Sequence, residues 1–95
     1  MDEPFSPEVA KALIRSILAS GEPFFSKHAL EKMGKADPKL LHVDCVNVLR
    51  GGTVEPAEWE NGSWRYRVRT ARIYVVVAFR STTELTVVTT WRVNQ

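Results

Sequence analysis

The sequence predicts one α+β domain in two layers, with helices first and an antiparallel sheet of about four strands second. Three observations predict it. Up to residue 52 the apolar residues recur every three or four positions, the spacing of a helix face. From Thr53 onward they alternate, the spacing of a strand. Asn61-Gly62, the dipeptide best suited to a two-residue hairpin turn, stands between two such alternating runs. Helices followed by a meander of strands cover one face of the sheet. A chain of 95 residues has room for one core and not two.

The first helix opens on Ser6-Pro7-Glu8, a cap, a proline at the first helical position and an acid in the first turn. Val9, Leu13 and Ile17, with Ala10, Ile14 and Leu18 beside them, form its apolar stripe, and Gly21 and Pro23 stop it. Phe25-Ser26 opens a second helix, with Ser26 as cap and Phe25 stapled to Leu30. Ala29, Leu30 and Met33 form its buried side. Asp37-Pro38 reads as the start of a third helix carrying Leu41, Cys45, Val48 and Leu49, closed by Gly51-Gly52. The second and third helices are expected to pair as a hairpin on the sheet.

Thr53 to Trp59 is an edge strand weakened by Pro56. Ser63 to Arg69 alternates strictly, with Trp64, Tyr66 and Val68 on one face and Arg65, Arg67 and Arg69 on the other. Arg72 to Arg80 is the most apolar run and so the central strand. Glu84 to Val93 is the last.

Charge is distributed unevenly. Residues 53–95 hold six arginines and no lysine, while all five lysines precede residue 40. The guanidinium fork matches phosphate or carboxylate; the lysine ammonium is a mobile point charge. Three arginines in a row repel one another unless anions neutralise them. The row is therefore either an oxyanion surface or a set of stems covering a sheet face, paired with Glu55 or Glu58. His28 lies on the polar side of the second helix and can exchange a proton near neutral pH; otherwise it is an exposed histidine without a task. His42 is expected to be half-buried and structural. Thr89-Thr90 are either good strand formers or hydroxyls placed for a phosphate beside Arg92.

Other chemistries are disfavoured. The sequence has no acidic cluster for Mg²⁺, no Cys/His metal spacing, no phosphate-cradling glycine loop and no nucleophile elbow. Neither a metal nor a cofactor is expected. Cys45 is the only cysteine, so no internal disulfide can form. The acidic start Met1-Asp2-Glu3-Pro4 does not read as a signal peptide. The longest apolar run, Ile73 to Phe79, is too short to span a bilayer. A cytoplasmic protein without membrane partners is expected.

Phe25-Ser26-Lys27-His28-Ala29-Leu30-Glu31-Lys32-Met33 resembles the F-x-x-H-A-x-x-R-M opening of a widespread bacterial family of uncharacterised domains, grouped with RelE-, BrnT- and MqsR-like toxins. The order that follows is similar too: a helix ending at Val48-Leu49-Arg50-Gly51-Gly52, then Tyr66-Arg67-Val68-Arg69, the strand Ile73 to Val77, and Val87 to Trp91 in place of a V-x-T-V-Y ending. The resemblance spans residues 24–93 and leaves residues 1–23 as an additional helix on a single domain covering 1–95. Lys32 stands where the family has arginine, and Gly34 to Asp37 departs from its loop.

The resemblance implies a RelE-like fold with a curved sheet whose open side is a substrate cleft. It also implies a ribonuclease toxin of a type II toxin–antitoxin pair. On that basis His28, Arg67, Arg69 and Thr89 are expected to be catalytic, and Lys32, Arg65, Tyr74 and Arg92 to bind substrate. The expected partners are RNA, free or on the ribosome, and an acidic antitoxin adding a strand at the Thr53–Trp59 edge. The alternative is a non-catalytic module that grips RNA or protein with the same arginine face.

Overall fold

A computed structural model describes residues 2–93. Met1, Asn94 and Gln95 of the expected domain lie outside the described residues. The elements run α1 (Pro7–Ser20), β1 (Phe24–Phe25), α2 (Lys27–Lys35), α3 (His42–Gly51), β2 (Thr53–Val54), β3 (Glu58–Glu60), β4 (Ser63–Arg69), β5 (Ile73–Phe79) and β6 (Leu85–Arg92). Among the described residues the architecture is α+β, with three helices and a mostly antiparallel sheet.

Among the described residues the sheet has six strands rather than about four, in the order β1-β6-β5-β4-β2, with β3 also pairing β4. The difference has two physical causes. Pro56 carries no amide hydrogen for a ladder, so the expected Thr53–Trp59 strand splits. Its first part pairs with Val68 and Arg69, and its second with residues 63–65 at the far end of β4. Phe24-Phe25, expected to lead into a helix, instead pairs in parallel with Thr86 and Val87. β5 is the middle strand, as its apolar content implies. The hairpin turn places Asn61 at φ 49° and Gly62 at φ 83°, the left-handed pair that a two-residue turn requires.

The caps of the first two helices form as expected. Ser6 accepts from the Val9 amide and Ser26 from the Ala29 amide. The third helix starts later than Asp37-Pro38. Leu40 N–H is held by Met33 O, and the Asp44 carboxylate accepts from Leu41 N–H at 2.8 Å, so the helix begins after Leu41. Leu30 and Leu41 are exposed rather than buried. Phe25 turns from Leu30 to stack on His42, with ring centroids 4.3 Å apart, and His42 is itself exposed.

The core sits between α1, α3 and one sheet face. Ile14, Cys45, Leu49, Tyr66, Val68, Val75, Val77 and Val87 are fully buried there. α3 packs on β4 and β5 and pairs with α1, while α2 lies along β6. The helix pair is thus α1 with α3, not α2 with α3. Gly52 sits where this layer meets the sheet. A Cβ there would lie 2.6 Å from Val48 O and 2.8 Å from Arg69 O, both rigid backbone atoms.

Tyr66 ties the N-terminal segment to the core. Its hydroxyl donates to Glu3 Oε2 at 2.9 Å and accepts from Phe5 N–H at 3.0 Å. Phe5 in turn meets Phe79 edge-on at 5.7 Å. Burial pushes the phenol up to about 12, and the Glu3 carboxylate acts in the same direction.

Two predictions follow from this packing. Gly52→Ala should lower stability by about 1–3 kcal/mol in denaturant unfolding, the usual range for overpacking. For Tyr66, the unfolded phenol ionises near 10 and the folded one near 12. Between those values the unfolded state has released a proton that the folded state keeps, so stability falls as pH rises. In Tyr66→Phe this component of the fall between pH 10 and 12 should be missing, as read by unfolding midpoints across that range.

Candidate nucleic-acid interface

β6 does not keep a single register along β5. Val77 pairs with Val87, and Val76 pairs with Thr89. Val88 is therefore the extra residue of a β-bulge. The bulge decides which side chains face outward, because a one-residue shift exchanges the two faces of a strand. Val87 is buried in the core on one side of it and Thr90 on the other, so Thr89 and Trp91 point away from the helices. Ser26 holds the bulge. Its amide donates to Val87 O at 3.0 Å and its hydroxyl donates to Val88 O at 2.8 Å.

The outer face then reads as two rows across three strands. Arg67, Val76 and Thr89 form one; Arg69, Tyr74 and Trp91 form the other. Tyr74 and Trp91 stack with centroids 4.9 Å apart and planes 8° from parallel. Val76 is buried although it faces away from the helices, flanked by Arg67 and Thr89. Thr89 is half-buried, and its hydroxyl has no hydrogen-bond partner among the described residues.

The arginine row is largely neutralised in the free protein. Arg69 Nε donates to Glu55 Oε2 at 2.8 Å, and Arg67 lies 3.7 Å from Glu58 Oε1. Arg65 donates to Ser63 Oγ at 3.0 Å. Such pairs are exposed, and exposed pairs contribute only about 0.2–1 kcal/mol each. A phosphate, which accepts from guanidinium in the same forked geometry, can replace the carboxylates at small cost.

α2 forms one wall of this face. Lys32 and Lys35 line a cleft of about 300 Å³ with Trp91 and Arg92. His28 is one helical turn before Lys32 and shares its side of the helix. Ser26 is bonded to Val88, so α2 starts beside the bulge of β6. His28 is exposed and touches neither Arg67 nor Arg69. Two strand spacings, about 10 Å, separate the β4 and β6 backbones.

The expected site residues therefore fall into two groups. Arg67, Arg69, Tyr74 and Thr89 share the outer face, with Lys32 beside Trp91 at its β6 side and Arg65 toward the β3 end, while His28 stands exposed one turn before Lys32 on α2. Arg92 is different. Its Nε donates to Pro38 O at 2.7 Å and its Nη2 to Lys39 O at 3.4 Å, which braces the loop between α2 and α3. Thr90 is buried and structural. Its hydroxyl donates to Tyr74 O at 2.6 Å and accepts weakly from Cys45 Sγ at 3.9 Å. Burial pushes the Cys45 thiol up, which makes it a poor nucleophile.

Two contributors escaped sequence reasoning. Trp91 was legible only as a strand former, and its outward direction depends on the bulge. Ser26 was legible as a helix cap but not as the clasp on Val88. Among the described residues, no three His, Cys, Asp or Glu side chains come together as metal ligands would. No helix among them is long and apolar enough to cross a membrane. Compared with known protein families, curated proteins and solved structures, the chain matches none.

The two threonines can be separated by experiment. Thr90→Val removes a buried hydroxyl and its bond to Tyr74 O, and should lower stability by about 1–2 kcal/mol. Thr89→Val, on the outer face, should stay within about 0.5 kcal/mol of wild type. Equilibrium unfolding of both variants checks this.

Proposed function

We propose that this chain is a metal-independent endoribonuclease of the RelE-like toxin type, acting on single-stranded RNA in the cytoplasm and restrained by an acidic antitoxin. One observation carries the proposal: Arg67, Arg69, Thr89 and the Tyr74–Trp91 stack occupy one sheet face, bordered by the α2 side that bears His28 and Lys32. That face combines the two parts of single-strand recognition, cations for the phosphate chain and an aromatic platform for bases.

The chemistry is intramolecular attack. The RNA 2′-hydroxyl oxygen forms a bond to the adjacent phosphorus, the bond to the 5′ oxygen breaks, and a 2′,3′-cyclic phosphate results. His28 takes the 2′-hydroxyl proton, and a proton from water goes to the departing 5′ oxygen. Arg67 and Arg69 leave Glu58 and Glu55 to stabilise the charge growing on the phosphoryl oxygens. Thr89 donates to the same phosphate, Lys32 to the neighbouring one, and Arg65 extends the cationic track. RNA presented by a translating ribosome would meet the same face.

A second reading has its own observation. Among the described residues His28 has no partner that orients its ring, and Arg67 and Arg69 are ion-paired. In that reading the face binds RNA or an acidic segment without cleaving it. The antitoxin would then neutralise the arginines in the manner of Glu55 and Glu58 and extend the sheet beside β2 and β3.

Purified protein in EDTA should cut single-stranded RNA to products with cyclic phosphate ends, on free RNA or on translating ribosomes. His28→Ala should slow cleavage by about 10²–10⁴-fold, the range for a proton-transfer group. Retained RNA binding with no cleavage by wild type on either substrate would select the second reading. Glu55→Gln with Glu58→Gln frees both arginines, so it should tighten RNA binding and steepen its salt dependence. Unchanged affinity in that double variant would show that the arginine row does not meet the RNA.

A further inference from the structure

Among the described residues, six large apolar side chains are conspicuously exposed: Val9, Phe24, Leu30, Leu41, Val43 and Trp59. Three of them, Phe24, Leu30 and Val43, border one groove of about 630 Å³ where β1 passes between α2 and α3. Scattered exposed apolar residues need no explanation, but a contiguous patch marks an interaction surface. The stacked Phe25 and His42 rings also line it.

α3 shows the same thing from its own geometry. Its core side is Cys45, Val48 and Leu49, all buried. Val43, Val46, Asn47 and Arg50, which line the groove, recur at i, i+3, i+4 and i+7 and form a second stripe along the helix. Such a stripe offers the ridges against which another helix packs. The rim is basic. Arg50 lines the groove, Arg15 donates to Arg50 O, and the Arg80 guanidinium lies 4.8 Å from the centre of the Phe24 ring. Neither Arg50 nor Arg80 has an acidic partner among the described residues, and Glu22 is the one acid in the lining.

We propose that this groove is the docking site for an amphipathic, acidic α-helix of a partner protein. Its apolar side lies on Val43, Val46 and Leu30, and its carboxylates meet Arg50 and Arg80. A second copy of the chain is a poor occupant, because a two-fold contact sets the same basic rim against itself. The groove shares no residue with the outer sheet face, so the inference stands whether or not that face cleaves RNA.

The test is a fluorescence anisotropy titration of the full chain with a labelled synthetic helical peptide, leucine on one side and glutamate on the other. A control peptide replaces every glutamate with lysine. The acidic peptide is expected to bind, and the lysine peptide to bind at least about tenfold more weakly. Val43→Asp and Arg50→Glu alter exposed side chains outside the core and should each weaken the acidic peptide by about tenfold or more. Circular dichroism establishes that both variants remain folded. Failure of the acidic peptide to bind, equal binding of the two peptides, or wild-type affinity in both variants would overturn the proposal. Sedimentation showing a wild-type dimer that Val43→Asp dissolves would also overturn it, by assigning the groove to a second copy.

Discussion

The outer face of this protein depends on one side chain, Ser26, and the single extra residue it clasps. Ser26 caps α2 by accepting from the Ala29 amide and donates its own proton to the carbonyl of Val88. The first contact starts the helix that carries His28 and Lys32. The second fixes the bulge that turns Thr89 and Trp91 outward. The start of the helix is thereby fixed beside the bulge of the strand. A regular ladder would bury Thr89, expose Thr90 and turn Trp91 toward the helices.

Electrostatics explain why a row of arginines is tolerated on an open face. Arg67 and Arg69 would repel one another, but each is matched by a glutamate brought alongside β4 from the segment containing β2 and β3. The split at Pro56 helps. It lets Glu55 approach Arg69 at one end while Glu58 sits opposite Arg65 and beside Arg67 at the other. The face is held in a resting, neutralised state whose ion pairs are exposed and weak. An anion with several phosphates can outcompete carboxylates one at a time, because released counterions favour the polyanion collectively.

Much of this architecture was legible in the sequence. Ser6 and Ser26 announced two helix starts, Asn61-Gly62 the hairpin, and the alternation of residues 63–69 the division of β4 into core and arginine sides. What escaped has physical reasons. A bulge has no sequence signature when the residue involved is valine among valines and threonines, so the outward turn of Trp91 was hidden. Short parallel pairing at Phe24-Phe25 comes from tertiary contact and not from local pattern. Asp37-Pro38 satisfied the rules for a helix start, yet Asp44 and Met33 O captured the nearby amides and moved the start to His42. The bonds of Arg92 to Pro38 O and Lys39 O were not legible either, because that loop is close to Arg92 only after folding.

Together these features describe a small sheet with two distinct surfaces: an outer face of arginines and stacked aromatics shaped by the Val88 bulge, and an apolar groove at the β1 edge. The most direct test of the outer face is a residue-resolved NMR titration of the protein with a short single-stranded RNA. Amide shifts should concentrate on Arg67, Arg69, Tyr74, Thr89 and Trp91 and on the first two turns of α2. Saturable binding that leaves those amides unmoved, with shifts gathered elsewhere on the molecule, would contradict it.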